Sequence, residues 1–278
     1  MYSYQHRYHA GSFADLHKHL VLTAILIHLQ QKLTPFCALD LYAGEGIYDL
    51  HSTESQKNAE YKLGIEAVFH IKNPPPLLQR FLSIIHHINP DPSQMLYPGS
   101  PEIIASFLRS EDEAILVEGH PQAFQHLKEH FDQHPQIHLH QRDALEAMHA
   151  LTPVKRGLVF IDPSYEVKKE YQAVANAVLK AYSHFSHGIY AIWYPLLEEE
   201  YHLKLIRMIR KADLPKVWSC EWIPYEKPPG GIIGSGMILI NPPWQLDQQL
   251  AEVFKFLNQR VFVGGKYFFS GTSYKNTN

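Results

Sequence analysis

The run Phe36-Cys37-Ala38-Leu39-Asp40-Leu41-Tyr42, followed at once by Ala43-Gly44-Glu45-Gly46, narrows the fold more than any other stretch. An apolar run that stops at a Gly-x-Gly turn is the opening of a Rossmann-like nucleotide site. Its glycines allow positive φ and a close approach of backbone to ligand. Further apolar runs follow at residues 114–118, 136–140, 157–161 and 188–194. Segments with helical spacing separate them, at residues 121–131, 144–150, 171–184 and 197–211. That alternation predicts an α/β fold with a parallel sheet. Residues 217–223 and 235–240, on either side of Pro228-Pro229-Gly230-Gly231, read as the two last strands, paired antiparallel.

Asp49 stands where a dinucleotide-binding turn has its third glycine. This moves the expected cofactor from a nicotinamide toward S-adenosylmethionine. A ribose-binding acid belongs at the tip of the second strand, usually roughly 20 residues on. The residue that fits, Glu118, lies much farther along, so residues 50–99 are expected to form a small helical insertion. The main domain is then 1–49 plus 100–278, with residues 1–12 as an N-terminal arm. Pro101 marks the helix start where the α/β rhythm resumes. At the third strand tip, Asp143 either accepts from the adenine amine of a bound cofactor or caps the next helix; both roles stay open.

The fourth strand, Gly157–Ile161, ends in Asp162-Pro163-Ser164-Tyr165. Proline cannot donate to a sheet ladder, so the strand stops and the acid sits at its tip, where open α/β sheets bind ligands. A carboxylate with neighbouring carbonyls accepts hydrogen bonds from an exocyclic amine, and an aromatic ring stacks on a planar base. The arrangement points to methylation of adenine N6, with Asp162, Pro163 and Tyr165 as the catalytic group. Asn241-Pro242-Pro243-Trp244 is a rival that matches the amine-methylating pattern better, having both prolines. Position favours Asp162, because strand counting places it beside the first strand at the switch point.

The first 19 residues mix three tyrosines and four histidines with Arg7 and Lys18. Aromatics interleaved with cations suit a single nucleic-acid strand, with Tyr4, His6, Arg7 and Lys18 as contacts; an arm packed on the core is the other reading. Ser12 is placed to cap a helix running to about residue 31. His17 and His19 are two apart and share no helix face, so no metal site is expected. The 278 residues hold two cysteines and no apolar run near the length of a membrane span, and no signal peptide is evident. A cytoplasmic, monomeric protein is expected. A net charge of −3 leaves no chain-wide basic field, so any nucleic-acid surface is local.

Taken together, Tyr4…His9-Ala10-Gly11…Ala14-Asp15…Lys18-His19, Leu39-Asp40…Ala43-Gly44-Glu45-Gly46, Tyr97-Pro98-Gly99-Ser100-Pro101, Ile161-Asp162-Pro163-Ser164-Tyr165-Glu166, Trp193-Tyr194-Pro195 and Asn241-Pro242-Pro243-Trp244 resemble one family nearly end to end. It is the bacterial 23S ribosomal RNA adenine-N6-methyltransferases that act on the free large-subunit RNA. The resemblance implies a Rossmann-like class I S-adenosylmethionine-dependent methyltransferase with a helical insertion. It further implies that His19, Tyr42, Ser100, Glu118, Asp143, Ala144 and Asp162 line the cofactor alongside Gly44 and Gly46, and that Tyr4 touches RNA. Two residues depart from the pattern. Tyr42 stands where the family often has His, and Ser164 replaces the second proline of Asp-Pro-Pro-Tyr. Other adenine-bearing nucleic acids, a protein-glutamine substrate and a non-catalytic RNA-binding relative are the competing readings.

Overall fold

Ser12 opens α1 (Phe13–Gln30), its hydroxyl accepting from the Asp15 N–H and so satisfying one of the amides a helix start leaves open. The helix is buried along most of its length, and the buried set includes Asp15, His17, Lys18 and His19. Buried polar groups need internal partners. The partners of these four define the site described below.

This is a computed structural model that describes residues 5–91, 93–153, 155–226 and 231–271. After α1 come β1 (Cys37–Asp40), β2 (Ile47–Asp49), α2 (Thr53–Asn58), α3 (Ile65–Phe69), α4 (Pro76–Ile88), β3 (Leu96–Pro98) and α5 (Ser100–Ala105). The alternating part runs β4 (Glu113–Val117), α6 (Pro121–Phe131), β5 (Ile137–His140), α7 (Ala144–Leu151), β6 (Gly157–Ile161), α8 (Glu170–Tyr182), β7 (Ile189–Leu196) and α9 (His202–Lys211). It closes with β8 (Val217–Ile223), β9 (Gly234–Ile240), α10 (Leu246–Arg260) and β10 (Lys266–Gly271).

Eight strands form the main sheet in the order β10-β8-β9-β7-β6-β1-β4-β5. From β5 to β7 all neighbours are parallel, with Leu39 of β1 flanked by Ile115 of β4 and Val159 of β6. The chain builds outward from β1 to β4 and β5, then returns to place β6 and β7 on the other side. The carboxyl ends of β1 and β6 therefore flank the switch point, where such sheets bind ligands. This is the Rossmann-like class I methyltransferase arrangement. β8 and β9 pair antiparallel as the sequence predicts, but they are not the last strands. β10 follows them and adds antiparallel to β8 at the sheet edge.

Residues 47–98 leave and rejoin the main domain through a two-stranded antiparallel ribbon, β2 with β3. The Gly99 N–H donates to the Gly46 carbonyl at 2.7 Å, tying the ribbon's exit to the glycine turn. Leu78, Phe81, Leu82 and Ile85 of α4 join the same apolar core as Leu16, Leu20 and Leu22 of α1. α4 is amphipathic and starts at Pro76, where the missing N–H costs nothing. Among the described residues no helix is long and apolar enough to cross a membrane.

Candidate active site

At the carboxyl end of β1 the chain turns through Gly44 (φ +64°) and Gly46 (φ +87°), a left-handed backbone that glycine adopts without strain. A Cβ on Gly44 would fall 2.2 Å from the Tyr48 hydroxyl oxygen. The Gly44 N–H donates to Glu118 Oε2 at 2.8 Å, and the His120 N–H donates to Oε1 at 2.6 Å. Glu118, just past β4, is thus fixed against the turn, and burial raises its carboxyl pKa. Asp40 is fully buried; its Oδ1 accepts from the Tyr42 N–H at 3.3 Å and its Oδ2 has no hydrogen-bond partner. Burial, with the charges of Asp162 and Glu118 added, pushes the Asp40 carboxyl up to about 7. A buried acceptor without a partner calls for an explanation, and a bound donor supplies one.

Asp143 caps α7, with both bonds on Oδ1, from Leu145 N–H at 2.9 Å and Glu146 N–H at 3.0 Å. The capping role is therefore present, and it falls on one of the two oxygens. Ala144 is buried behind it, and Ser100 is buried as the first residue of α5. His19 stacks on Tyr97, with Nδ1 2.7 Å from the Tyr97 hydroxyl.

Asp162 follows β6 directly. Its carboxylate pairs with the Lys18 ammonium, which also lies 2.7 Å from Asp15 Oδ1 and 5.5 Å from the Trp193 ring centroid. Asp15 Oδ2 in turn accepts from the Gly11 N–H at 2.8 Å and meets His6 Nε2 at 3.0 Å. Burial opposes charge on both Asp15 and Lys18, but their partners outweigh it. His6 and Lys18 hold Asp15 well below the usual carboxylate range, and Asp15 and Asp162 hold Lys18 above its ordinary value. The expectation of Lys18 as an RNA contact is corrected here. At 4% exposure it is a buried ion-pair partner of the strand-tip acid, because α1 runs under the loop that follows β6.

Tyr165 has φ +51° and is also buried. Its hydroxyl donates to the Trp193 carbonyl at 2.9 Å, and its ring stacks on Tyr171 at 4.1 Å. One ring face is thus already covered. Pro163 is buried and Ser164 half-buried between these two anchors.

The arm begins with a short 3-10 turn at His6–Tyr8. Arg7 Nε and Nη2 each lie 2.9 Å from Glu45 Oε1, inside the glycine turn, and Nη1 lies 3.3 Å from Glu54 of α2. The Arg7 charge therefore meets two carboxylates. It anchors the arm, where the sequence reading gave it a phosphate contact. His6 packs edge-on to Tyr48 while it meets Asp15, and His9 pairs with Glu60 at 2.7 Å. Tyr4 lies outside the described residues.

Asn241 ends β9, which runs antiparallel to β7 with Ile240 opposite Tyr190. It therefore sits at the edge of the sheet where β7 begins, opposite the crevice. Its amide donates to the carbonyls of Ser186 and Gly188, both at 2.8 Å. Asn241 closes a turn there.

Sequence reasoning gave no role to Asp15, Asp40 or Trp193. Asp15 and Lys18 were detectable as an i,i+3 pair of opposite charge, and Asp40 as an acid inside an apolar run. Nothing in the order of residues reveals that Trp193 stands between Lys18 and Tyr165.

Burial pushes His17 and His19 down to about 3, so both imidazoles stay neutral from pH 5 to 8 and their NMR shifts are flat over that range. The sign follows from linkage. The unfolded chain takes up these protons near pH 6.5 and the folded chain does not, so their contribution to stability is lost as pH falls from about 6.5 toward about 3. At pH 5 each disfavours folding by about 2 kcal/mol. Replacing His19 by Asn makes stability less steep in pH between 5 and 6.5, read from urea unfolding.

A family model described as Ribosomal RNA large subunit methyltransferase D, RlmJ, matches residues 33–268. A protein named Ribosomal RNA large subunit methyltransferase J from Escherichia coli (strain K12) is 35% identical over 95% of this chain and 96% of its own length. A protein of the same name from Haemophilus influenzae is 35% identical over the same shares. The crystal structure of a Legionella pneumophila protein superposes with a TM-score of 0.86 at 34% identity, covering 96% of this chain and 99% of that one. With a match across most of its length and relatives at this level of identity, the chain belongs to the RlmJ family of ribosomal RNA large subunit methyltransferases.

Proposed function

We propose that this protein transfers a methyl group from S-adenosylmethionine to N6 of an adenosine in 23S ribosomal RNA, acting as a monomer on free RNA in the cytoplasm. The observation that carries this reading is Asp162, an acid at the tip of β6 beside the β1 switch point, held by Lys18 from below.

The residues present fit the cofactor. Asp40, with its unpartnered buried Oδ2, and Ser100 would face its amino-acid end; Glu118 would take the ribose hydroxyls, and Asp143 with Ala144 the adenine. Gly44 and Gly46 let the backbone approach, and Tyr42 and His19 close the sides. When bound, the cofactor supplies a methyl group on a sulfonium, already strongly electrophilic. The protein's task is therefore mainly positioning.

The target adenosine is taken out of its stack into the crevice. Asp162 and the Pro163 carbonyl accept from the N6 amine, which aims its lone pair. The amine becomes positive as it attacks, and the Asp162 carboxylate stabilises that charge and then takes the proton. Lys18 holds the carboxylate in place. The Tyr165 ring bounds the base. The arm closes over the site through His6, tied down by Arg7.

Deletion of residues 1–9 removes that cover together with the Asp15–His6 and Arg7–Glu45 pairs. RNA methylation should be lost by about 10²-fold or more while cofactor affinity stays within about threefold. Isothermal titration with the cofactor, run beside a radiolabel transfer assay, separates the two effects. Purified protein with labelled donor, offered 23S RNA, DNA and protein extract in parallel, tests the reading itself. Label in the RNA alone supports it, and label in DNA or protein alone contradicts it.

A further inference from the structure

Behind the Lys18–Asp162 pair lies a second set of buried polar groups that the reaction above does not use. His17, the neighbour of Lys18 on α1, has Nδ1 2.8 Å from the Ser235 hydroxyl on β9 and Nε2 3.1 Å from Cys220 Sγ on β8. Trp193 of β7 donates its indole N–H to the same Ser235 oxygen at 2.9 Å. His17, Ser235 and Cys220 are fully enclosed.

An indole N–H only donates, so Ser235 Oγ accepts from Trp193. His17 links the same Ser235 oxygen to the Cys220 sulfur through its two ring nitrogens, one of which donates and the other accepts in the neutral imidazole. A satisfied core network alone would explain this much. What ties it to the site is Trp193, whose carbonyl accepts the Tyr165 hydroxyl and whose ring lies beside the Lys18 ammonium.

We propose that Ser235 and His17 are positioning residues for methyl transfer. Their hydrogen bonds fix the Trp193 indole, and through it the Lys18 ammonium that holds Asp162 and the Tyr165 ring beside the base. The proposal rests on the reading of Asp162 as the amine acceptor. It extends that reading across the sheet to β8 and β9, whose residues lie away from the crevice. The polar groups are local on α1: His17 faces β8 and β9, Lys18 faces Asp162, and Asp15 faces Lys18 and the arm.

The test uses the full-length protein with 23S RNA and compares Ser235→Ala, Trp193→Phe and the double variant. Trp193→Phe keeps an aromatic ring and removes the indole donor together with the rest of the five-membered ring. Each single change should lower kcat about tenfold, as a small displacement of catalytic groups does, with KM for the cofactor within about twofold. The double variant should be no slower than the slower single one, because both changes break one chain. Unchanged kcat in both single variants, or losses that multiply in the double one, overturns the proposal. A second readout needs no turnover. The ε-methylene resonance of 13C-labelled Lys18 is displaced by the Trp193 ring current and should shift in Ser235→Ala. If the wild-type protein methylates no RNA, the functional reading fails on its own, and this resonance decides the positioning claim; no change in it overturns the claim. If Ser235→Ala does not fold, kcat of Trp193→Phe decides.

Discussion

Replacing Asp162 with Ala is expected to slow methyl transfer by about 10³-fold or more, the loss found when a preorganised group facing developing charge is removed. The exocyclic amine of adenine is a poor nucleophile because its lone pair is drawn into the ring, and it gains a positive charge as it attacks. Asp162 is the carboxylate at the strand tip nearest the switch point, and Lys18 keeps it from swinging away. Asn241→Ala serves as the control. It cuts two hydrogen bonds to Ser186 and Gly188 and leaves Ala at φ +55°, so it costs stability. Transfer by the folded protein should nevertheless stay within about twofold, since the residue lies on the opposite edge of the sheet. Single-turnover rates with saturating cofactor compare the two. Activity surviving the Asp162 change would transfer the assignment elsewhere.

The second large effect is at Lys18. Its ammonium is buried between Asp15 and Asp162, so a change to Met removes the charge that both carboxylates were built around. Breaking a buried pair from one side leaves an uncompensated ion, which costs about 3–5 kcal/mol. His6 and the Gly11 N–H still bind Asp15, which places the expectation at the lower end, about 3 kcal/mol. Urea unfolding measures it. The transfer rate should fall about 10²-fold at a temperature where the variant is still folded, because Asp162 loses its anchor. If Lys18 bound RNA phosphate on the surface, the same change would leave stability almost untouched and raise KM for RNA instead. The two outcomes distinguish a buried anchor from the surface contact that the sequence pattern implied.

That reversal at Lys18 shows where sequence reading holds and where it stops. The strands from β1 and β4 to β9 were legible as short apolar runs, while the ribbon of β2 and β3 inside the expected helical insertion was not. Gly157–Ile161, Val217–Ile223 and Pro121–Phe131 have the bounds their residues imply. The place of Asp162 was legible too, since counting strands from the glycine turn puts β6 against β1 at the switch point. The partners across the fold were not. A cluster of Tyr, His, Arg and Lys in the first 19 residues reads as a nucleic-acid surface because spacing carries no information about burial. Folding puts Lys18 beneath the loop that follows β6 and sets Arg7 against Glu45 and Glu54, residues 38 and 47 positions away. β10 was invisible for a related reason. Lys266–Gly271 alternates half-buried and exposed positions at a sheet edge, and so lacks the continuous apolar run of a central strand.

The central claim is that this protein places a methyl group on N6 of an adenosine in large-subunit RNA, with Asp162 as the amine acceptor. It is tested most directly by mapping N6-methyladenine in 23S RNA from cells that lack the protein, and from the same cells supplied with wild-type or Asp162→Ala protein. One N6-methyladenine should disappear from the deletion strain, return with the wild-type protein and stay absent with Asp162→Ala. An unchanged map in the deletion strain, or restoration by Asp162→Ala, would contradict the account.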